Sequence, residues 1–349
     1  MERIKADDLY AYRFLSEVAV APDGAHAAFV SRRARDDGKG YYACIHLLDT
    51  ATGAVRPLTG NGDEAAFRWL DSNTLIFPSC RTGDQPGKTA FYRLDIRGSE
   101  AERAFTIPLS VKQFHPLPDG RWFVLTRRPM TPPEDLPADQ PQPGRDYTVF
   151  DELPFWADGL GMINGTRMSG WIFDPADGSV NQIPPPTYDM EGAAVSPEGS
   201  RILYWGVSFE GIRPDYRQLM LYDLATGQTR SLVPDGKYRI TQVGWWGTDI
   251  WFEGGDPHTS VSRSPKLYLL NPATGDCRTF CAPDGFLGTS AIGDMSLGGG
   301  KVCAVQGDSL YAVRLQRDVT ALLRPGETVL LTVACAHAAS SRAGTTRIR

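Results

Sequence analysis

The sequence predicts an all-β chain: a β-propeller of four-stranded antiparallel blades, six of them recognisable. Two recurring phrases and their spacing predict it. The first phrase closes a hairpin and occurs five times, at residues 48–53, 94–98, 173–178, 222–227 and 270–275. Each copy is an apolar residue, then Asp or Asn, then Gly a few positions later, as in Tyr222-Asp223-Leu224-Ala225-Thr226-Gly227. Asp or Asn opens such a turn by accepting from backbone NH groups ahead of it, and Gly supplies the positive φ that ends it. The second phrase is of the Pro-Asp-Gly kind. It runs through Ala21-Pro22-Asp23-Gly24, Leu70-Asp71-Ser72-Asn73, Leu117-Pro118-Asp119-Gly120 and Ser196-Pro197-Glu198-Gly199. Weaker copies stand at residues 244–249 and 294–299. Asp23, Asp71 and Asp119 lie 48 residues apart, and a repeat of 40–50 residues built from hairpins is the signature of a propeller.

The blades follow in order. A short apolar strand succeeds each copy of the second phrase: residues 27–30, 74–77, 122–125, 202–205, 250–252 and 302–305. The second phrase therefore joins strands one and two, and the first phrase joins strands three and four. This places blades near 18–60, 66–108, 114–186, 192–234, 240–282 and 290–324. Between Asp119 and Glu198 the step lengthens to 79 residues, so the third blade carries an insertion, residues 129–167. The propeller is expected over residues 1–325. Residues 326–349, small, polar and Arg-rich towards the end, are expected to be an incomplete blade or a disordered tail.

Composition sets limits. Of 349 residues, 42% are hydrophobic and 22% charged, ordinary for a globular protein. A formal net charge of −5 gives no basic surface for nucleic acid. No apolar run reaches the roughly twenty residues that span a bilayer, and the start lacks a signal core, so the expected location is cytoplasmic. The six cysteines, with Cys277 and Cys281 the nearest pair, lack a second pair at zinc-site spacing; free, partly buried thiols are expected, with no metal and no cofactor. A nucleophile elbow, Gly-x-Ser-x-Gly, does not occur. The approaches at Ser208 and Ser290 have the wrong second Gly, so no catalytic residue is assigned.

The Pro-Asp-Gly phrases resemble the N-terminal propeller of prolyl oligopeptidase family serine peptidases, in the acylaminoacyl-peptidase and dipeptidyl-peptidase branch. The lead-in from Ile4-Lys5-Ala6-Asp7-Asp8-Leu9-Tyr10 to Val18-Ala19-Val20 is similar to that branch, as is Arg56-Pro57-Leu58-Thr59. So is Leu153-Pro154-Phe155-Trp156 with Gly159-Leu160-Gly161. The resemblance covers about residues 1–325. It implies seven blades and a following α/β-hydrolase domain carrying Ser, Asp and His. Six blades are legible here and no hydrolase text follows, an abruptness that suits a truncation or a shifted reading frame. The resemblance thus implies a non-catalytic, substrate-gating domain acting for a peptidase of short peptides, whose partner is the hydrolase domain. A stand-alone propeller that binds a peptide or protein is the other reading.

The insertion is the candidate functional surface. Its Pro-rich part, residues 129–144, can form neither ladder nor helix, and loops this long are functional or disordered. It ends in Phe150, Asp151, Glu152, Phe155 and Trp156. These aromatics either pin the loop back on the propeller or face a substrate or a hydrolase domain.

Overall fold

A computed structural model gives the architecture. It describes residues 5–334 except 99, 131–148, 159, 184, 260–264, 283–284, 288–301, 317–318 and 325–328. Six antiparallel sheets stand in a ring, each built from one continuous stretch of chain. The first blade shows the plan. Phe14–Val20 is the inner strand, followed outwards by His26–Ala34, Tyr41–Asp49 and the short Val55–Pro57. Blades two, four and five repeat it between Arg68 and Ile107, Tyr188 and Ser231, and Arg239 and Cys281. Blade three has the same order, but its second strand (Trp122–Pro129) and third (Thr166–Phe173) are separated by the insertion. Among the described residues no helix is long and apolar enough to cross a membrane.

The predicted turns have the predicted chemistry. In blade one the Asp49 carboxylate accepts from the Ala51 and Thr52 NH groups at 3.0 and 2.8 Å. Gly53, at φ 73°, donates back to the Asp49 carbonyl. Asp223 and Asn271 do the same in blades four and five. The NH from Thr52 and its hydroxyl hold the Asp49 carboxyl below its usual value. Asp23, Asp71 and Asp119 accept from the residue two ahead at the turn between strands one and two.

Strand two of blades two to five alternates with period two and is buried on both faces. In blade two, Leu75 and Phe77 face blade one, while Ile76 faces blade three. In blade three, Phe123 and Leu125 face blade four, and Trp122 and Val124 face blade two. Five apolar clusters result, each joining a blade to the next. Two tryptophans add the same hydrogen bond between inner strands. Trp69 donates to the Ala19 carbonyl of blade one at 3.1 Å, and Trp245 to the Ala194 carbonyl of blade four at 3.2 Å.

The sixth blade corrects the expected frame. Cys303–Gln306 is not its second strand. It pairs across the tight Gly307-Asp308 turn with Ser309–Gln316, which also pairs with Phe286–Leu287. Cys303–Gln306 thus belongs to the inner strand, and Ser309–Gln316, Val319–Leu323 and Val329–Ala334 follow outwards. A Gly-Asp loop closes a two-residue hairpin by itself, so the fainter copy at residues 294–299 misled the frame. That copy lies outside the described residues, as do Ser290 and residues 335–349. The last strand, Val329–Ala334, extends the blade beyond residue 325.

Among the described residues no apolar cluster joins blade six to blade one. Leu15 pairs with Ser31 and Val20 with Ala27, which places them on the face of blade one turned away from blade two. Leu15, Val18 and Val20 are exposed. Replacing Phe77 by Ala, which empties a two-blade contact, is expected to cost about 3–5 kcal/mol in a denaturant melt. Replacing Val18 and Val20 together by Ser is expected to cost less than about 1 kcal/mol and to lower light scattering of the concentrated protein, since the face promotes association. Equal losses for the two changes would show that blade one is covered on both sides.

Candidate functional site

The described part of the insertion is a small structure of its own. Trp156–Ala157 pairs with Gly161–Met162 in a short hairpin. Behind it, the chain is fastened at one point. The Glu152 carboxylate lies buried against the guanidinium of Arg167, a residue of blade three's third strand, Thr166–Phe173. Arg167 donates to the two carboxylate oxygens at 2.9 and 2.5 Å. The Gly165 NH donates to the same carboxylate at 2.8 Å, and the Asn164 side-chain oxygen accepts from the Asp151 and Glu152 NH groups. Burial would raise the Glu152 pKa, but Arg167 and the Gly165 NH outweigh it and hold the carboxyl below its ordinary range.

Arg167 carries the fastening on to blade four. It is 1% exposed and donates to the carbonyls of Thr166, Thr187 and Phe209, with its guanidinium 3.8 Å from the centre of the Phe209 ring. Leu153 completes the link: its NH donates to the Gly211 carbonyl, and its carbonyl accepts from the Arg213 NH at 2.9 Å. The loop after strand two of blade four is therefore held by the insertion, and with it Arg213.

Arg213 belongs to a second constellation. Asp189 and Glu191 open the inner strand of blade four, Tyr188–Val195. Arg213 reaches Asp189 at 3.0 Å and Glu191 at 2.8 Å, Arg127 lies 3.7 Å from Asp189, and Arg217 donates to Glu191. Asp189 also accepts from the Met168 NH at 2.7 Å. Gly206 makes this possible: a Cβ there would meet the Asp189 carbonyl oxygen at 2.0 Å, so only glycine lets the two strands approach.

The structure separates the five candidate residues. Phe150 and Phe155 are 40% and 38% exposed and stack on each other, with ring centres 4.5 Å apart; Trp156 is 49% exposed. Asp151 is exposed as well. With Leu153, Met162 and Ile212, also exposed, the rings form an apolar patch on the insertion side of the ring. Glu152 is the exception. It is buried and pins the insertion, the task one reading gave to the aromatics. Arg127, Asp189, Glu191, Arg213 and Arg217 were not singled out from the sequence; Asp189 and Glu191 stand at alternate positions just ahead of residue 192, where the fourth blade was expected to begin, and the structure starts its inner strand at Tyr188. The Pro-rich stretch at residues 131–148 lies outside the described residues. Ser208 donates to the Thr187 hydroxyl at 3.0 Å. Among the described residues no three His, Cys, Asp or Glu side chains converge as metal ligands. Cys44, Cys80, Cys277, Cys281 and Cys303 are free thiols. A hollow of about 330 Å³ lined by His26, Asp49, Arg56 and Arg97 sits at the opposite end of blades one and two.

Comparison with known proteins places this architecture. No family model matches the chain. An uncharacterized peptidase, YuxL, of Bacillus subtilis (strain 168) is 26% identical over 211 residues, 58% of this chain and 31% of the relative. The acylaminoacyl peptidase of Pyrococcus horikoshii superposes with a TM-score of 0.66 at 15% identity, over 95% of this chain and 48% of that one. A puromycin-hydrolyzing peptidase of Mycobacterium tuberculosis does so with a TM-score of 0.57 at 14% identity, over 92% and 47%. The chain shares its fold with part of each of these two solved peptidases. It spans about a third of the curated relative's length and about half of each solved structure.

Replacing Glu152 by Ala strands a buried guanidinium and is expected to cost about 3–5 kcal/mol. Replacing Phe155 and Trp156 together by Ala should cost less than about 1 kcal/mol, since neither ring is core. A Glu held below its unfolded pKa, about 4.3, stabilises the fold above that pH and loses the contribution as pH falls through the lower folded value. The stability difference between wild type and Glu152→Gln should therefore shrink below about pH 4.3. Denaturant melts between pH 7 and pH 3 check both; a difference that grows on acidification would contradict the pairing.

Proposed function

We propose that this chain is the substrate-gating and substrate-selecting propeller of a prolyl oligopeptidase-like serine peptidase that acts on short peptides. One observation carries the reading: the insertion is fastened by a buried ion pair while its three aromatic rings are left facing out. Exposed apolar surface on a firmly held base suits contact with another surface or ligand. The patch and the charged cluster lie on the same side of the ring, joined through Leu153 and Arg213. A peptide crossing this side would meet apolar rings first and charged groups next to the inner strands. The match to a peptidase supports the same direction. Catalysis is assigned to a hydrolase domain as the partner, because Ser208 has a threonine hydroxyl and not a general base as its neighbour. The purified chain is therefore expected to match buffer on acyl-peptide, dipeptidyl and p-nitrophenyl ester substrates.

Selection by length is tested with tryptophan fluorescence. N-acetylated peptides of three to six residues are expected to shift the emission of the wild-type chain, and the shift should be lost in Trp156→Phe. Peptides of about thirty residues and folded proteins should give no saturable signal. A stand-alone scaffold predicts the reverse order, with folded partners binding and short peptides silent.

A further inference from the structure

The charges at the start of blade four's inner strand do not balance. Three guanidinium groups, of Arg127, Arg213 and Arg217, face two carboxylates, of Asp189 and Glu191. The neighbouring ion pairs, Glu152 with Arg167 and Asp215 with Arg239, are matched, and Asp235 is hydrogen-bonded to Gln218 instead of an arginine of the cluster, so among the described residues within ion-pair distance one positive charge is left over. Its surroundings are not bulk water: the side chains of Arg127, Arg213 and Arg217 are 20%, 19% and 14% exposed.

The donors are also incompletely used. Among the described residues, the buried Nε atoms of Arg127 and Arg213 have no acceptor. Arg127 has, among the described residues, a long contact to Asp189 and a 3.3 Å hydrogen bond to the Thr166 hydroxyl. Arg217 turns Nη1 to the carbonyls of Pro214 and Tyr216, which fixes it as a wall of the site. Burial pushes the Arg213 pKa down, and the adjacent Arg217 and Arg127 push the same way against the pull of Asp189 and Glu191. A guanidinium largely removed from water with donors unused is costly, and planar two-oxygen anions suit its fork of donors.

We infer that this cluster binds a carboxylate, and that for a short peptide it is the C-terminal carboxylate that is held, with the peptide body across Phe155 and Trp156. The word peptide rests on the proposed function; the carboxylate does not. Anchoring one terminus beside the inner strands turns the cluster into a ruler, because only a short chain has its end within reach of both features.

Isothermal titration of the full chain with N-acetyl-Ala-Ala-Ala as free acid and as C-terminal amide tests it. The acid should bind about tenfold or more tightly than the amide. Arg127→Gln removes the surplus charge and leaves each carboxylate an arginine, so it should abolish the preference while the melting temperature holds. Glu191→Gln enlarges the surplus and should strengthen binding of the acid severalfold. Opposite responses of two variants cannot come from misfolding, and circular dichroism melts check each. Equal binding of acid and amide by the wild type would overturn the carboxylate site while leaving a peptide-binding face intact. Acetate binding as tightly as the acid, with no gain from the peptide body, would uphold the carboxylate site and overturn the peptide reading. A preference for the acid that survives Arg127→Gln would place the anion elsewhere and overturn the assignment.

Discussion

Packing of one blade's sheet against the next holds the ring together, and every loop takes its position from it. The second strands of blades two to five set the requirement: apolar on both faces, they need a partner on each side. Ile76 and Phe77 are successive residues buried in different clusters. A single such sheet could not hide both faces from water, whereas a ring of them can. The same logic marks the first blade as unusual, since Leu15 and Val20 lie on a face that no cluster of the described residues covers.

The insertion obeys a different rule. Its described part is held by polar groups that satisfy one another: Glu152, Arg167, the Gly165 NH and the carbonyls of Thr187 and Phe209. A buried pair of this kind is costly to desolvate and adds little net stability, but it is severely damaged when one partner is lost. It also fixes geometry, because a bidentate guanidinium–carboxylate contact admits one orientation. Here that geometry passes through Leu153 to the loop bearing Arg213, so that apolar rings and surplus positive charge are presented side by side.

Much of the ring is legible in the text because its turn chemistry is local. Asp49, Asp223 and Asn271 each need only the next few residues to build their turns. The sixth blade was less legible, since Gly307-Asp308 closes its first hairpin without the recurring phrase. At the site, the aromatic residues were readable as an unusual cluster, but their role was not. The sequence cannot reveal that Glu152 meets Arg167 across the base of the insertion, or that Arg127, Arg213 and Arg217 converge on Asp189 and Glu191 from two blades. Those contacts have no period, and they follow only once the strands are placed.

In this reading the insertion rings and the arginine cluster form one continuous peptide-binding face beside the inner strands. A crystal structure of the intact chain with N-acetyl-Ala-Ala-Ala bound tests it most directly. The peptide is expected to lie from Phe155 and Trp156 towards Arg213, with its terminal carboxylate between Arg127 and Arg213. A peptide seated instead in the hollow beside His26 and Arg97, at the other end of the ring, would contradict it.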